Sequence, residues 1–214
     1  RKNILKMFSC KPYFIANREN FPFLSNVLPK LVKRSFDYII SESHNVLTAS
    51  LFIKQKLNIP SLALRVHNNE PCFMKSLAKT SPFFSIPHLF FSLEAWKYYF
   101  FEKKMLKRLS QEDFLLHISY DECVDYRKRF PSLSHDFLPA AVDVKEAKPY
   151  TTVSAKYALF VGALFSPNNV QGLEWYLDNV HGRVLEKLPD YKLIVAGTTK
   201  GADRVKIDAL VKGK

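Results

Sequence analysis

The stretch LALRVHNNE, from Leu62 to Glu70, changes from apolar to polar character at one point. Its apolar half is typical of a short buried strand. Its polar half contains Arg65, His67, Asn68 and Glu70. Ligands of parallel α/β sheets bind at the carboxyl ends of the strands. These side chains therefore either line a binding crevice or form a polar loop that satisfies its own backbone.

Segments typical of strands and helices alternate along the rest of the chain. The predicted strands are 36–41, 61–67, 114–119, 136–143, 157–164 and 191–197. The predicted helices are 24–32, 46–57, 87–109, 119–130 and 169–188. This alternation, with spacings long enough for crossover helices, predicts a parallel sheet with helices on both faces.

A polar segment without periodicity, 145–156, separates two of these groups of elements, and we interpret it as a linker. It divides a Rossmann-like unit at 1–144 from the start of a second Rossmann-like unit at 157–214. All six glycines lie after residue 160, and the chain begins without Met. We therefore expect the first unit to be incomplete at its start and the second to be cut after its first βαβ unit.

Composition narrows the class of partner. The chain has 214 residues, 47% of them hydrophobic, which is typical of a globular protein. Its net charge of +12 favours an anionic partner, such as nucleic acid, anionic lipid or a phosphorylated substrate. The three cysteines have no metal-ligand spacing and are typical of thiols in a reducing compartment. No signal peptide or membrane-spanning segment is predicted.

Two further stretches contain candidate site residues. Glu42 and His44 follow the strand 36–41, although Ser43 is also a suitable N-cap for a helix that begins there. The strand predicted within 157–164 ends at Gly162, and a helix begins near Asn169. The first turn of a helix favours anions, but Pro, Asn and Gly in this stretch are equally typical of an ordinary turn.

The long helix 87–109 presents Leu89, Leu93, Trp96 and Phe100 on one face. An aromatic stripe beside lysines could lie on a membrane surface. Such a stripe more often belongs to the core, with the lysines on the solvated face, and we favour that interpretation.

The order of these motifs resembles the retaining GT-B glycosyltransferases of family 4. RVHNNE resembles the R-x-H-N-x-E segment of that family, and LPAAVD resembles its interdomain LPNGVD segment, with Ala140 and Ala141 in place of Asn and Gly. FVGALFSPNNVQGLEWYL and PDYKLIVAG are similar to the opening of the second domain in one subgroup. The similarity extends over nearly the whole chain from Asp37.

The resemblance implies a fold, a reaction and a set of site residues. The fold would be the GT-B type of α/β fold, with two Rossmann-like units truncated at both ends of the chain. The reaction would be transfer of a sugar, with retention, from a nucleotide-sugar donor to a glycan or lipid-linked acceptor, such as a polysaccharide or lipopolysaccharide intermediate. No bound metal or other cofactor is expected. The catalytic residue would be His67, and the substrate-binding residues would be Arg65, Asn68, Glu70, Glu42 and His44. The donor-binding residues would be Gly162, Asn168, Asn169 and Gly172.

The resemblance also predicts behaviour and location. Part of the family's donor site has no counterpart in these residues, so we expect 1–214 to be inactive alone. We expect a cytoplasmic location, with an anionic membrane surface at the inner face as a further partner. The alternative class is a non-catalytic basic α/β module that binds an anionic partner such as nucleic acid. No nucleic-acid-binding signature supports it, so nucleic acid is not the expected partner.

Overall fold

The computed structural model describes residues 6–141, 157–199 and 203–212. Contacts divide the chain into two compact units, Arg1–Lys79 with Phe83–Val142 and Thr80–Pro82 with Asp143–Lys214. Each unit combines helices with a parallel sheet, which confirms the α/β class and fits a Rossmann-like fold. The predicted linker at 145–156 lies outside the described residues.

The first unit is built on a parallel sheet whose four described strands lie side by side in chain order. They are β1 Tyr38–Glu42, β2 Ser61–Val66, β3 Phe114–His117 and β4 Ser134–Phe137. The central strand β2 is the apolar half of the opening stretch, and most of its residues are buried. Because all strands run the same way, their carboxyl ends form a single edge of the sheet.

Helices connect and precede these strands. They are α1 Tyr13–Arg18, α2 Phe21–Leu31, α3 Leu47–Lys56, α4 Glu70–Lys79, α5 Ile86–Leu106 and α6 Tyr120–Arg129. Ser85 caps α5 by accepting a hydrogen bond from the His88 N–H, and Ser119 caps α6 in the same way. Both caps satisfy N–H groups that a helix leaves without internal partners.

The core of the first unit joins the central strands to α3, α4, α5 and α6. Its fully buried members include Leu47, Leu62, Leu64, Tyr98, Leu106, Leu115 and Tyr126. Burial of one such side chain stabilises the fold by roughly 1.5–3 kcal/mol. The apolar run of β2 therefore fixes which residues of that strand remain free for other chemistry.

Helix α5 is oriented opposite to our prediction. The stripe Leu89, Leu93, Trp96 and Phe100 is exposed rather than packed in the core. The opposite face is buried and contains three charged side chains, Glu94, Lys97 and Glu102. These charges are tolerated because each of them has a hydrogen-bonding partner in the interior.

The described part of the second unit contains two parallel strands, β5 Tyr157–Val161 and β6 Lys192–Ala196. The predicted helix between them is confirmed as one helical run with three parts. These are α7 Pro167–Tyr176, a π-helical segment Leu177–His181 and α8 Gly182–Lys187. Helix α9, Asp203–Lys212, follows β6. A small core around Leu164, Leu173 and Leu177 holds this unit together.

The structure differs from the sequence predictions at β4 and at α4. Strand β4 begins two residues before the predicted segment 136–143 and ends at Phe137. Helix α4 was not predicted, although Met74, Leu77 and Ala78 are buried at helical spacing on it. Glu70 is consequently the first residue of a helix and not part of a loop.

Candidate functional site

Glu42, Arg65 and His67 meet at the carboxyl edge of the first sheet. Glu42 ends β1 and is directly opposite Arg65 in the strand register. His67 is the first residue after β2. Because adjacent strands of the same direction end side by side, the two polar strand ends predicted from the sequence form one cluster.

The cluster is held by two contacts to one carboxylate. His67 Nε2 lies 2.9 Å from Glu42 Oε2. Arg65 Nη1 donates to Glu42 Oε1 at 3.5 Å. The hydrogen bond from His67 and the positive charge of Arg65 lower the pKa of the Glu42 carboxyl group. Glu42 is therefore anionic at neutral pH.

This arrangement orients an imidazole that remains open to solvent. The side chains of His67 and Glu42 are 41% and 54% exposed. When His67 donates from Nε2 to Glu42, its Nδ1 is free to accept a proton or a hydrogen bond. A carboxylate that fixes a neighbouring imidazole is a common element of acid–base and electrostatic sites. The sequence predicts His67 as catalytic and Glu42 as substrate-binding, and the signal that joins them is their position on adjacent strand ends.

The remaining residues of the opening stretch separate into different environments. Asn68 is exposed. Asn69, which we did not single out, donates its backbone N–H to Glu122 Oε1 at 2.8 Å and accepts from the Cys72 N–H through Oδ1. Glu70 is buried at the start of α4, and burial raises its pKa to about 7. The loop interpretation therefore holds for Asn69, while His67 stays available.

His44 lies in the interior, on a 3₁₀ turn, His44–Val46, that follows β1. Ser43 caps that turn by accepting a hydrogen bond from the Asn45 N–H, as the alternative interpretation proposed. Burial lowers the pKa of His44 to about 4, so the ring is neutral at pH 7. Because its ring is fully buried, His44 cannot contact an acceptor substrate. Glu42, in contrast, is exposed.

A buried polar network lies next to His44, and sequence reasoning missed it. Glu102 accepts from the Tyr126 hydroxyl at 2.5 Å and from Arg129 Nη2 at 2.6 Å. His44 Nε2 lies 3.7 Å from Glu102 Oε2, beyond hydrogen-bonding distance. The His117 ring also contacts the Tyr126 ring, with the ring centroids 5.0 Å apart. The partners are far apart in sequence, so no local motif marks them.

Two glycines fix the carboxyl edge of the second sheet. A Cβ at Gly197 would lie 1.7 Å from the backbone oxygen of Gly162, so the two backbones approach where a side chain cannot fit. Gly162 also donates its N–H to the Ala196 carbonyl. This packing accounts for glycine at 197, whereas a Cβ at Gly162 would meet the Asn169 side chain at 3.2 Å.

The other predicted donor-binding residues are engaged locally or lie apart. Asn169 donates from Nδ2 to the Ala163 carbonyl at 3.1 Å. Asn168 is hydrogen-bonded to the Ser166 hydroxyl. Gly172 lies within α7, and a Cβ added there would meet nothing within 4 Å. The structure thus supports turn chemistry for these amides, and the donor-binding role stays a prediction.

Among residues 6–141, 157–199 and 203–212, no group of three or more His, Cys, Asp or Glu side chains could hold a metal ion. In the same part of the chain, no helix has the length and apolar character needed to cross a bilayer. Cys10, Cys72 and Cys123 are free thiols.

Comparison with known proteins adds one relative. The chain is similar to an "Uncharacterized 44.6 kDa protein in cps region" of Klebsiella pneumoniae, with 36% identity over 172 residues. The match covers 79% of this chain, and the chain spans 41% of the length of that relative. Neither a protein-family profile nor a solved structure matches the chain.

Proposed function

We propose that this chain is part of a retaining glycosyltransferase of the GT-B type. It would contribute the acceptor-side domain and the beginning of the donor-side domain. The observation that carries the proposal is the solvent-open His67–Glu42 pair at the carboxyl edge of a parallel sheet. This edge is where α/β folds bind their ligands.

Three independent features support the proposal. The order of the sequence motifs is similar to that of family 4 enzymes. The first unit has the parallel α/β sheet that such a domain requires. The relative's description in a cps region hints at polysaccharide biosynthesis. The donor would be a nucleotide sugar, and the acceptor a glycan or a lipid-linked intermediate.

The proposed reaction exchanges one bond at the anomeric carbon of the donor. The bond to the diphosphate oxygen breaks, and a bond to the acceptor oxygen forms on the same face of the sugar. The acceptor hydroxyl proton leaves with the diphosphate, so charge and atoms balance. His67 would contact the sugar through the ring edge that Glu42 leaves free, where positive charge develops in the transition state.

The surrounding residues would have supporting roles. Arg65 holds Glu42 in place and partly neutralises its charge. Glu70 would shape the site from beneath, because it is buried at the start of α4. Asn68 is exposed beside His67 and would contact the acceptor. The enzyme would work in the cytoplasm, at the inner face of the membrane if its acceptor is lipid-linked.

The direct test is sugar transfer by the complete gene product with a panel of nucleotide sugars. His67→Ala should lower kcat by about 10²- to 10³-fold with little change in the donor KM. Glu112→Gln is a suitable control, because Glu112 is exposed and precedes β3 at the opposite edge of the same sheet. Full activity of His67→Ala would contradict the proposal. Salt-resistant, sequence-selective binding of oligonucleotides would favour the non-catalytic alternative instead.

A further inference from the structure

The outward face of α5 has a composition that is rare for a surface helix. Its apolar side chains are 46–83% exposed, and they follow helical spacing over about 21 Å of the axis. They are Ile86, Leu89, Leu93, Trp96 and Phe100. We name this set the α5 stripe. Large contiguous apolar patches on a protein surface commonly mark interaction sites.

The charges of α5 are sorted by sign between its two faces. Its acidic residues, Glu94 and Glu102, are both buried and hydrogen-bonded in the interior. The exposed charges at its carboxyl end and just beyond are all positive: Lys103, Lys104, Lys107 and Arg108. The outward face therefore combines apolar and cationic groups and contains no anionic group.

A cavity of about 420 Å³ extends the α5 stripe at its basic end. Phe100, Phe101 and Met105 provide its apolar lining, and Lys104 and Arg108 provide cationic groups. Lys11 also lines the cavity but is paired with Glu19 at 2.6 Å. An apolar cavity bordered by cations suits an acyl chain beneath an anionic headgroup.

We propose that the α5 stripe docks this protein on an anionic lipid bilayer. The apolar side chains would insert at the level of the headgroups, and Lys103, Lys104 and Lys107 would contact anionic lipids. A second copy of the chain fits less well, because its α5 would offer no exposed acidic group to the lysines. Stacked nucleic-acid bases also fit less well, because the aliphatic members of the stripe offer no ring face.

Tryptophan fluorescence tests the docking face directly, because the chain has only two tryptophans, Trp96 and Trp175. Both are similarly exposed, at 61% and 62%, and they lie in different units. Trp175→Phe leaves Trp96 as the reporter, and its emission should shift to the blue with vesicles of three parts phosphatidylcholine to one part phosphatidylglycerol. Trp96→Phe leaves Trp175, which should show no shift.

Co-sedimentation with the same vesicles gives the matched comparison. Trp96→Glu should weaken binding at least tenfold, whereas Trp175→Glu should change it less than twofold. Replacement of Lys103, Lys104 and Lys107 by Ala should weaken binding about 100-fold at low salt, at roughly fivefold per lysine. All of these side chains are exposed, so every variant should fold, and circular dichroism checks this.

Several results would overturn the proposal. They are absence of vesicle binding, equal loss of binding in both Trp→Glu variants, and a dimer that dissociates in Trp96→Glu. Oligonucleotide binding through Trp96 without vesicle binding would overturn it as well. None of these measurements requires a sugar donor or turnover, so the docking proposal and the proposed function fail separately.

Discussion

The carboxyl edges of the two sheets use polar residues in opposite ways. In the first unit, Glu42 and His67 contact each other at the surface and leave part of the imidazole open. In the second unit, the backbones of Gly162 and Gly197 pack against each other. The Asn169 side-chain amide donates a hydrogen bond to the Ala163 carbonyl of its own loop. Polar residues after a strand are therefore not sufficient evidence of a site. A site also requires that some of their hydrogen-bonding groups are not used within the protein.

The comparison also separates stability from function within the first unit. The Glu42–His67 contact is exposed, so it should contribute little to the free energy of unfolding. The chemically similar contacts of Glu102 are buried, so removal of that carboxylate alone should cost much more, because its partners would be left unpaired. Substitutions at each location should show this difference.

The largest effect should come from Glu102→Ala. It leaves the Arg129 guanidinium and the buried Tyr126 hydroxyl without their carboxylate, at a cost of about 3–5 kcal/mol in unfolding free energy. Asp125→Ala is the matched control, because Asp125 also pairs with Arg129, at 3.3 Å, but is exposed. It should cost under ~1 kcal/mol in urea unfolding. Equal costs would refute the distinction between buried and exposed pairs.

Acid should destabilise the first unit through its buried histidines. Burial lowers the pKa of both His44 and His117 to about 4, from 6.5 in the unfolded chain. The unfolded chain therefore binds more protons between these values, and stability falls as pH drops from 6.5 to 4, by about 3 kcal/mol for each ring. Burial raises the pKa of Glu70 from 4.5 to about 7, so this group makes stability rise as the pH drops from 7 to 4.5.

Urea titrations across this pH range measure the balance. His44→Gln should show a flatter decline between pH 6.5 and 4 than the unmodified chain, because one titrating ring is removed. An unchanged pH dependence in that variant would mean that His44 is accessible and titrates normally.

A smaller effect should distinguish the glycines of the second unit. Gly197→Ala must displace backbone, since the added Cβ would lie 1.7 Å from the Gly162 oxygen, and it should cost about 1–3 kcal/mol. Gly172→Ala should instead stabilise the helix by roughly 0.5–1 kcal/mol, because its Cβ meets nothing. Thermal unfolding of the two variants would show opposite signs, and the same sign in both would contradict the packing account.

Much of the fold was predictable because its signals are local. The apolar run of β2, the caps Ser85 and Ser119, and the helical periodicity in 169–188 each depend on neighbouring residues only. The position of His67 was predictable for the same reason, since the change from apolar to polar residues is visible in the sequence.

The orientation of α5 was not predictable, because the helix has two faces with apolar residues. The inward face is set by distant partners: Glu94 accepts from the Tyr13 N–H, and Lys97 donates to the Met7 carbonyl. Sequence periodicity shows that a face exists but not which partners cover it. The burial of His44 escaped for the same reason, since its neighbours Glu102 and Tyr126 lie far along the chain.

The most direct test of the account is a double-mutant cycle on Glu42→Gln and His67→Ala in the complete gene product, with kcat and unfolding free energy measured together. We expect each single variant to change stability by less than ~1 kcal/mol, because the pair is exposed. We expect the kcat effects to be strongly non-additive, with the double variant no slower than His67→Ala alone. Additive kcat effects, or a loss of stability in place of activity, would contradict a functional pair at this edge.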